Sequence, residues 1–221
     1  VTHTPDVLNA EVATTAIMLM MACYRELLRD EAYVRSGRWE AEGSAPLTRS
    51  VDGQKVGILG MGRIGQEIAR KLAVFDPEIS YHTRSPKDVP FRYFDSLVEM
   101  AAHVDCLMVI TPGGAATHHL VNREVLEALG PQGTVVNVAR GTVIDETAMI
   151  DCLQSGKLGW AGLDVFVNEP NIDPRFLTLD NVVLQPHQGS GSVETRRAMA
   201  VLQLDNIRAH IEGRALLTPV N

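Results

Sequence analysis

A glycine-rich turn between an apolar run and a helical pattern constrains the fold of this chain more than any other feature. The pattern G-x-G-x-x-G directly follows the run Lys55–Leu59 and opens the helical pattern Arg63–Val74. Glycines alone would indicate a plain turn, but a strand, this turn and a helix in succession are what a dinucleotide-binding βαβ unit requires. The candidate cofactor-binding residues of the turn are Gly60, Met61, Gly62, Arg63, Ile64 and Gly65.

Each glycine of this turn has a separate physical task. Gly60 permits the tight turn, Gly62 lets the backbone approach a pyrophosphate, and Gly65 lets the helix and strand pack closely. The unpaired N–H groups and the dipole at the start of the helix then attract the anion. The sequence therefore predicts a dinucleotide site at this turn.

Beyond the turn, short and almost wholly apolar runs alternate with helical patterns. Such runs are typical of strands covered on both faces, and strand–helix repetition predicts a doubly wound parallel sheet. We therefore predict an α/β fold of the Rossmann type. The predicted strands are Lys55–Leu59, Ile79–Thr83, Cys106–Thr111, Thr134–Ala139, Leu163–Phe166 and Val182–Gln185, and the later predicted helices are Ser96–His103, Asn122–Leu129, Glu146–Gln154 and Val193–Glu212.

The N-terminal part predicts a helix followed by an exposed arm. Thr4 is a good N-cap, Pro5 suits the first helical position, and apolar residues recur at helical spacing over residues 8–27. The stretch Arg35–Ser50 is richer in glycine, serine, proline and charge, which indicates a loop. Trp39 within it either packs as satellite core or contacts a partner subunit.

Charge and cysteine content exclude several kinds of partner and site. The 221 residues carry 20 basic and 27 acidic side chains, a formal net charge of −7, which argues against nucleic acid or an anionic membrane as a partner. Cys23, Cys106 and Cys152 lie far apart in apolar surroundings, so we predict no disulfide framework and a reducing, cytoplasmic compartment. We also predict no metal site, because the adjacent His118 and His119 would point in different directions.

The end of the second predicted strand carries the signal for the kind of cofactor. An NAD-specific domain usually has an acidic residue here that hydrogen-bonds the ribose 2′-OH. No carboxylate is present between Ser80 and Lys87, whereas Arg84 supplies positive charge for a 2′-phosphate. The stretch favours NADP(H) over NAD(H), with a solvated loop charge as the alternative for Arg84. The candidate residues are His82, Thr83, Arg84 and Ser85.

Three side chains capable of chemistry follow predicted strands, at the edge where such sheets bind ligands. Arg140 can hold a carboxylate in a bidentate pair, and His187 can transfer a proton near neutral pH. Glu169, hydrogen-bonded to the second ring nitrogen, would fix the tautomer of that histidine. Reduction of a 2-oxo acid needs these groups beside a hydride donor, but their spacing alone leaves ordinary surface residues as the alternative.

Four longer motifs resemble those of the D-isomer-specific 2-hydroxyacid dehydrogenases. The matching segments are Val136–Asp145 for the arginine signature, Gly162–Pro170 for the glutamate signature, Leu184–Ser190 for the histidine signature and Thr111–Leu120 for the loop beside the nicotinamide. The resemblance implies Arg140 as the substrate anchor and His187 as the acid/base, partnered by Glu169. It also implies cofactor contacts from Thr111, Pro112, Val138, Ala139, Asp164 and Gly189.

Within this family, Tyr81–Ser85 is most similar to the NADP(H)-dependent glyoxylate/hydroxypyruvate reductases. Related formate dehydrogenases have Gln where this chain has Glu169, so the carboxylate favours a hydroxy acid. The resemblance implies hydride transfer between NADP(H), with NAD(H) possible, and a short 2-oxo acid such as glyoxylate or hydroxypyruvate. The alternatives are a nucleotide-sensing, corepressor-like dimeric module and an NAD-dependent relative such as a phosphoglycerate dehydrogenase. A methyltransferase is a weaker alternative, because it has no role for the three signature side chains.

The resemblance also implies how the chain is organised. Family members have an N-terminal lobe that supplies most of the substrate pocket, and a start at Val1 without Met fits a chain that lacks it. We expect residues 1–188 to form the cofactor-binding domain and residues 189–221 a C-terminal helix that returns to that lobe. We also expect a homodimer through the first helix and the arm around Trp39, and cofactor binding with poor turnover by the chain alone.

Overall fold

Residues 1–220, which the computed structural model describes, form one sheet of seven strands in which every neighbouring pair is parallel. The strands are β1 (Lys55–Leu59), β2 (Glu78–His82), β3 (Arg92–Tyr93), β4 (Cys106–Val109), β5 (Thr134–Asn137), β6 (Trp160–Leu163) and β7 (Val182–Leu184). Their order is β3-β2-β1-β4-β5-β6-β7, so the chain winds outward from β1 in both directions. This arrangement confirms the predicted doubly wound, Rossmann-type fold.

Helices cover both faces of the sheet. They are α1 (Asn9–Tyr24), α2 (Leu27–Arg35), α3 (Arg38–Glu42), α4 (Arg63–Leu72), α5 (Leu97–His103), α6 (Arg123–Leu129), α7 (Glu146–Gln154) and α8 (Val193–Ile211). The last four each begin at a side chain that accepts a hydrogen bond from the N–H three residues later, as N-caps do. These caps are Ser96, Asn122, Asp145 and Ser192. Within the described residues, we find no helix of sufficient length and apolarity to traverse a membrane.

Two apolar layers, one on each face of the sheet, explain the nearly continuous apolar strands. Every residue of β4 is fully buried: Cys106 and Met108 belong to the layer with α1 and α4, and Leu107 and Val109 to the layer with α5, α6 and α7. Successive side chains of a strand point to opposite faces, so a strand buried on both faces is apolar throughout. Because both faces are covered, the strand ends are where ligands can enter.

The first helix begins and ends inside its predicted span. Thr4 and Pro5 do not start it; α1 begins at Asn9, because Asp6 takes a left-handed conformation with φ of 69°. The Asp6 carboxylate accepts a hydrogen bond from the Asn9 side chain, a local bond that competes with helix formation. At the other end, Glu26 with φ of 44° separates α1 from α2, so the apolar periodicity spans two helices.

The sequence prediction is also wrong at one strand and in the arm. The sixth strand occupies Trp160–Leu163 rather than Leu163–Phe166. Glycine is more typical of turns than of strands. In the structure, a Cβ at Gly162 would lie 2.9 Å from the Leu19 side chain, so this glycine lets α1 pack closely on the strand. The predicted loop 35–50 contains α3, and β3 was not predicted; both are too short for periodicity to reveal.

Candidate active site

Two adjoining cavities lie at the carboxyl ends of the strands. The first, here the nucleotide cavity, has a volume of about 810 Å³ and is lined by residues that follow β1, β2 and β4. The second, the catalytic cavity, has a volume of about 730 Å³ and is lined by residues that follow β4, β5, β6 and β7. Both include the segment Thr111–Gly114. An elongated ligand can therefore extend from one cavity into the other.

The glycine-rich turn forms one end of the nucleotide cavity. A Cβ on Gly62 would meet no atom within 4 Å, whereas a Cβ on Gly65 would lie 2.2 Å from the Gly60 carbonyl oxygen. Gly65 therefore packs the helix against the turn, and Gly62 leaves room for a ligand. Within residues 1–220, the N–H groups of Arg63 and Ile64 have no hydrogen-bond acceptor. The start of α4 thus offers donors suited to a pyrophosphate.

The residues after β2 form another part of the same cavity. The Thr83 hydroxyl donates to the Ser85 carbonyl oxygen at 2.7 Å, and Nδ1 of His82 lies 2.9 Å from a carbonyl oxygen that follows β3. Both bonds fix the turn that carries Arg84. Arg84 and Lys87 line the cavity, and none of the described residues that line it is acidic. This part of the cavity is therefore positively charged.

The catalytic cavity brings together Arg140, Glu169 and His187, which come from three different loops. Nδ1 of His187 lies 2.7 Å from Oε2 of Glu169, and the other carboxylate oxygen accepts a hydrogen bond from the Phe166 N–H at 2.8 Å. Burial opposes ionisation of Glu169, but the hydrogen bonds from His187 and Phe166 and the charges of His187 and Arg140 hold its pKa below the ordinary value. Because Nδ1 faces the carboxylate, Nε2 is the ring nitrogen left for a substrate.

His187 has a left-handed backbone with φ of 54°, which is uncommon for a residue with a side chain. The buried Asp164 holds this turn: its carbonyl oxygen accepts from the His187 N–H at 2.9 Å. Its carboxylate accepts from the N–H groups of Gln188 at 2.6 Å and Gly189 at 2.8 Å. Burial raises the pKa of Asp164, against the hydrogen bonds that lower it. Asp164 and Gly189 line neither cavity, so the structure places them beneath the histidine.

Arg140 follows β5 on a turn fixed by the buried Asn137. The Asn137 side chain accepts from the Ala139 N–H at 3.0 Å and donates to the Arg140 carbonyl oxygen at 3.1 Å. A Cβ on Gly113 would lie 2.7 Å from the Arg140 side chain, so this glycine makes room for the arginine stem. Neither Asn137 nor Gly113 is among the predicted site residues. A polar residue at the end of an apolar strand is the signal that marks Asn137.

The remaining predicted residues divide between the cavities and the surrounding structure. Arg63 lines neither cavity; it is exposed, and its guanidinium lies 3.2 Å from Asp6. The expectation that His118 and His119 point in different directions is wrong, because neither lies in a helix and their rings stack with centroids 3.9 Å apart. The described residues contain no group of three or more potential metal ligands. The predicted cofactor residues that do line a cavity are Gly60, Met61, Gly62, Ile64, His82, Thr83, Arg84, Ser85, Thr111, Pro112, Val138 and Ala139.

Known proteins are similar to this chain in both sequence and fold. The family model described as D-isomer specific 2-hydroxyacid dehydrogenase, NAD binding domain, matches residues 17–189. Hydroxyphenylpyruvate reductase of Plectranthus scutellarioides is 47% identical over 221 residues, which cover 100% of this chain and 70% of that protein. Glyoxylate/hydroxypyruvate reductase A of Arabidopsis thaliana is 46% identical over 221 residues, with the same coverage of 100% and 70%.

A solved structure gives the same assignment. The NADPH-dependent glyoxylate/hydroxypyruvate reductase of Sinorhizobium meliloti, in complex with NADP and malonate, has a TM-score of 0.95 and 50% identity, covering 100% of this chain and 70% of that chain. The match includes the whole sheet and the loops that carry the three signature side chains. The chain therefore belongs to the D-isomer-specific 2-hydroxyacid dehydrogenases, a family of NAD(P)-dependent oxidoreductases.

Proposed function

We propose that this chain uses NADPH to reduce a short 2-oxo acid, of the glyoxylate or hydroxypyruvate type, to the 2-hydroxy acid. One observation carries the proposal: Arg140, Glu169 and His187 line a single cavity that adjoins a nucleotide cavity with positive charge. The relatives from Arabidopsis thaliana and Sinorhizobium meliloti are glyoxylate/hydroxypyruvate reductases, which supports the same substrate class.

The residues that line the nucleotide cavity fit a phosphorylated dinucleotide. The donors at the start of α4, beside the open space at Gly62, would hold the pyrophosphate. Arg84 and Lys87 would attract a 2′-phosphate, and no carboxylate lining the cavity, among the residues described, would repel it. Val138 and Ala139 would border the nicotinamide in the adjoining cavity. When bound, the reduced nicotinamide supplies a hydride to the carbonyl carbon of the acid.

The three signature side chains would do the rest of the chemistry. Arg140 would bind the substrate carboxylate and oppose the negative charge that develops on the carbonyl oxygen. His187 would donate the proton on Nε2 to that oxygen, so that ketone, hydride and proton together give the hydroxyl group. Glu169 would keep the proton on Nδ1 and stabilise the positively charged ring before the transfer. His187 then takes a proton from solvent for the next cycle.

The proposal extends to the organisation and assembly of the protein. We assign residues 1–188 to the cofactor-binding domain and residues 189–221 to a C-terminal segment built around α8. Trp39 on α3 is 61% exposed, and apolar side chains are also exposed on α1 (Met18 and Met21) and on α2 (Leu27 and Val34). A homodimer through α1 and the arm would cover this apolar surface. The three buried, unpaired cysteines support a reducing, cytoplasmic compartment.

Parallel titrations with NADPH and NADH at one salt concentration test the cofactor. We expect tighter binding of NADPH, and Arg84→Ala should weaken it about tenfold while leaving NADH binding unchanged, since only NADPH carries the 2′-phosphate that Arg84 would contact. Arg70→Ala is the matched control, because Arg70 is an exposed arginine on α4 that lines neither cavity. Equal or tighter binding of NADH by the unaltered protein would contradict the proposed cofactor. An enzyme that reduces neither glyoxylate nor hydroxypyruvate would contradict the proposed substrate class.

A further inference from the structure

Glu146, the first residue of α7, reaches from its helix to the loop that carries Glu169. Its Oε2 accepts a hydrogen bond from the Val167 N–H at 3.0 Å. The carboxyl group is half-buried, and burial raises its pKa while the bond from Val167 opposes that rise. Partial burial of a carboxylate costs solvation free energy, and the hydrogen bond from Val167 offsets part of that cost. A carboxylate that only kept the surface soluble would not need to be buried.

The two peptide groups that flank Phe166 are held from several directions. Glu169 accepts from the Phe166 N–H at 2.8 Å, and Glu146 accepts from the next N–H along the chain. On another side lies Gly141, where a Cβ would stand 2.0 Å from the Phe166 carbonyl carbon. The loop after β5 is therefore in direct contact with the loop after β6. Two carboxylates and one glycine therefore fix the two consecutive peptide groups that flank Phe166.

The position of the backbone at Phe166 determines where the Glu169 carboxylate lies. Phe166 is three residues before Glu169, and its N–H occupies the carboxylate oxygen that does not face the histidine. If the Phe166–Val167 peptide is released, the backbone at Phe166 can shift, and the Phe166 N–H in the preceding peptide then no longer orients the Glu169 carboxylate toward Nδ1 of His187. A displacement of about 1 Å at a reacting group can lower turnover about a hundredfold, so a bond that fixes this peptide has kinetic consequences.

We propose that Glu146 is a positioning residue for catalysis, which fixes the Phe166–Val167 peptide so that Glu169 meets His187. The inference rests on the proposed roles of Glu169 and His187. Glu146 lines neither cavity and acts only through the loop. What the loop requires from it is an acceptor oxygen, which a glutamine amide also provides.

Three variants test this role: Glu146→Ala, Glu146→Gln and Glu124→Ala. Glu124 is an exposed acid in the first turn of α6, so its replacement controls for the loss of a negative charge at a helix start. We expect Glu146→Ala to lower kcat about tenfold with the KM for NADPH unchanged, because the loop and not the nucleotide cavity is disturbed. Glu146→Gln should retain kcat within about twofold, since it keeps the acceptor, and Glu124→Ala should be unchanged.

A spectroscopic readout separates this inference from the proposed reaction. The His187 Nδ1–H proton, hydrogen-bonded to a carboxylate, should give a downfield NMR signal that Glu169→Gln shifts. Glu146→Ala should broaden or shift the same signal, and Glu146→Gln and Glu124→Ala should preserve it. If no 2-oxo acid is reduced but the signal responds in this way, the proposed function fails and the role of Glu146 stands. An unchanged signal and unchanged kcat in Glu146→Ala, or equal damage in Glu146→Gln, would overturn the inference.

Discussion

A methyl group at Gly141 should disable the enzyme, and the size of the effect follows from the contacts around it. A Cβ at this position would lie 2.0 Å from the Phe166 carbonyl carbon and 2.3 Å from both its oxygen and the Val167 nitrogen. Ordinary van der Waals contacts begin at 3.4 Å, so the two loops would have to separate by more than an ångström. All three obstructing atoms belong to the backbone and cannot rotate away.

The expected cost has a structural and a kinetic part. Overpacking of this kind costs about 1–3 kcal/mol of folding free energy, and contacts with three backbone atoms place Gly141→Ala near the upper end. The separation of the loops carries Glu169 away from His187, which should lower kcat about a hundredfold. Urea denaturation gives the first quantity, and steady-state reduction of a 2-oxo acid by NADPH gives the second. Titration with NADPH should show a much smaller loss of affinity than of kcat, because the nucleotide cavity that would hold the phosphates is formed by other loops.

Gly53→Ala is the matched control. Gly53 has φ of +69° and no atom within 4 Å of a Cβ, so alanine there costs about 1–2 kcal/mol of backbone strain without a steric clash. We expect Gly53→Ala to lose stability but keep its kcat. If Gly141→Ala also keeps its kcat, the close approach of the two loops does not position the catalytic pair and the reasoning is refuted.

Two further predictions concern the carboxylates around His187. Asp164→Ala leaves the N–H groups of Gln188 and Gly189 without their acceptor, and because only Gly189 is buried it should lower the free energy of unfolding by about 1–3 kcal/mol in urea denaturation. A loss below about 1 kcal/mol would show that Asp164 does not hold the histidine turn. The lowered pKa of Glu169 means that its stabilisation is present above the unfolded value of about 4.3 and is lost as pH falls through the lower folded value. Glu169→Gln should remove this acid-side dependence of the unfolding free energy, and an unchanged pH dependence would contradict the ion pair.

The fold could be predicted because its strands need no tertiary information to be recognised. All four residues of β4 are apolar, and β1 and β5 carry polar side chains only at their ends, as expected for strands buried on both faces. Asp145 also marked the start of α7 correctly, because its side chain accepts the Ala148 N–H at 3.0 Å. Local chemistry was sufficient at these places.

The sequence prediction is wrong where a distant segment decides the local structure. β6 contains Gly162 because α1 packs too closely on the strand at this position for a side chain. No pattern within the strand reveals this contact with a distant helix. Pro5 suits a helix start, but the left-handed Asp6 delays the helix to Asn9. Asp6 shows that a locally satisfied side chain can override capping propensity.

The candidate site shows the same division. Arg140, Glu169 and His187 were candidates because each follows a predicted strand, and strand ends converge at one edge of a parallel sheet. The resemblance of their motifs to the family signatures, and not the spacing, distinguished them from ordinary surface residues. The supporting contacts could not be predicted from spacing. For example, the sequence does not show whether Asp164 contacts the cofactor or supports the loop that carries His187. In the structure, Asp164 accepts hydrogen bonds from three backbone N–H groups of that loop.

The most direct test of the central claim is a comparison of turnover and cofactor binding in His187→Gln. The variant removes the proton donor, and His187 lies outside the nucleotide cavity. We predict that kcat for reduction of glyoxylate or hydroxypyruvate by NADPH falls by about 10²–10⁴-fold, while the Kd for NADPH stays within about twofold. A variant that keeps kcat within about threefold of the unaltered enzyme would show that His187 does not supply the proton, and the proposed mechanism would be wrong.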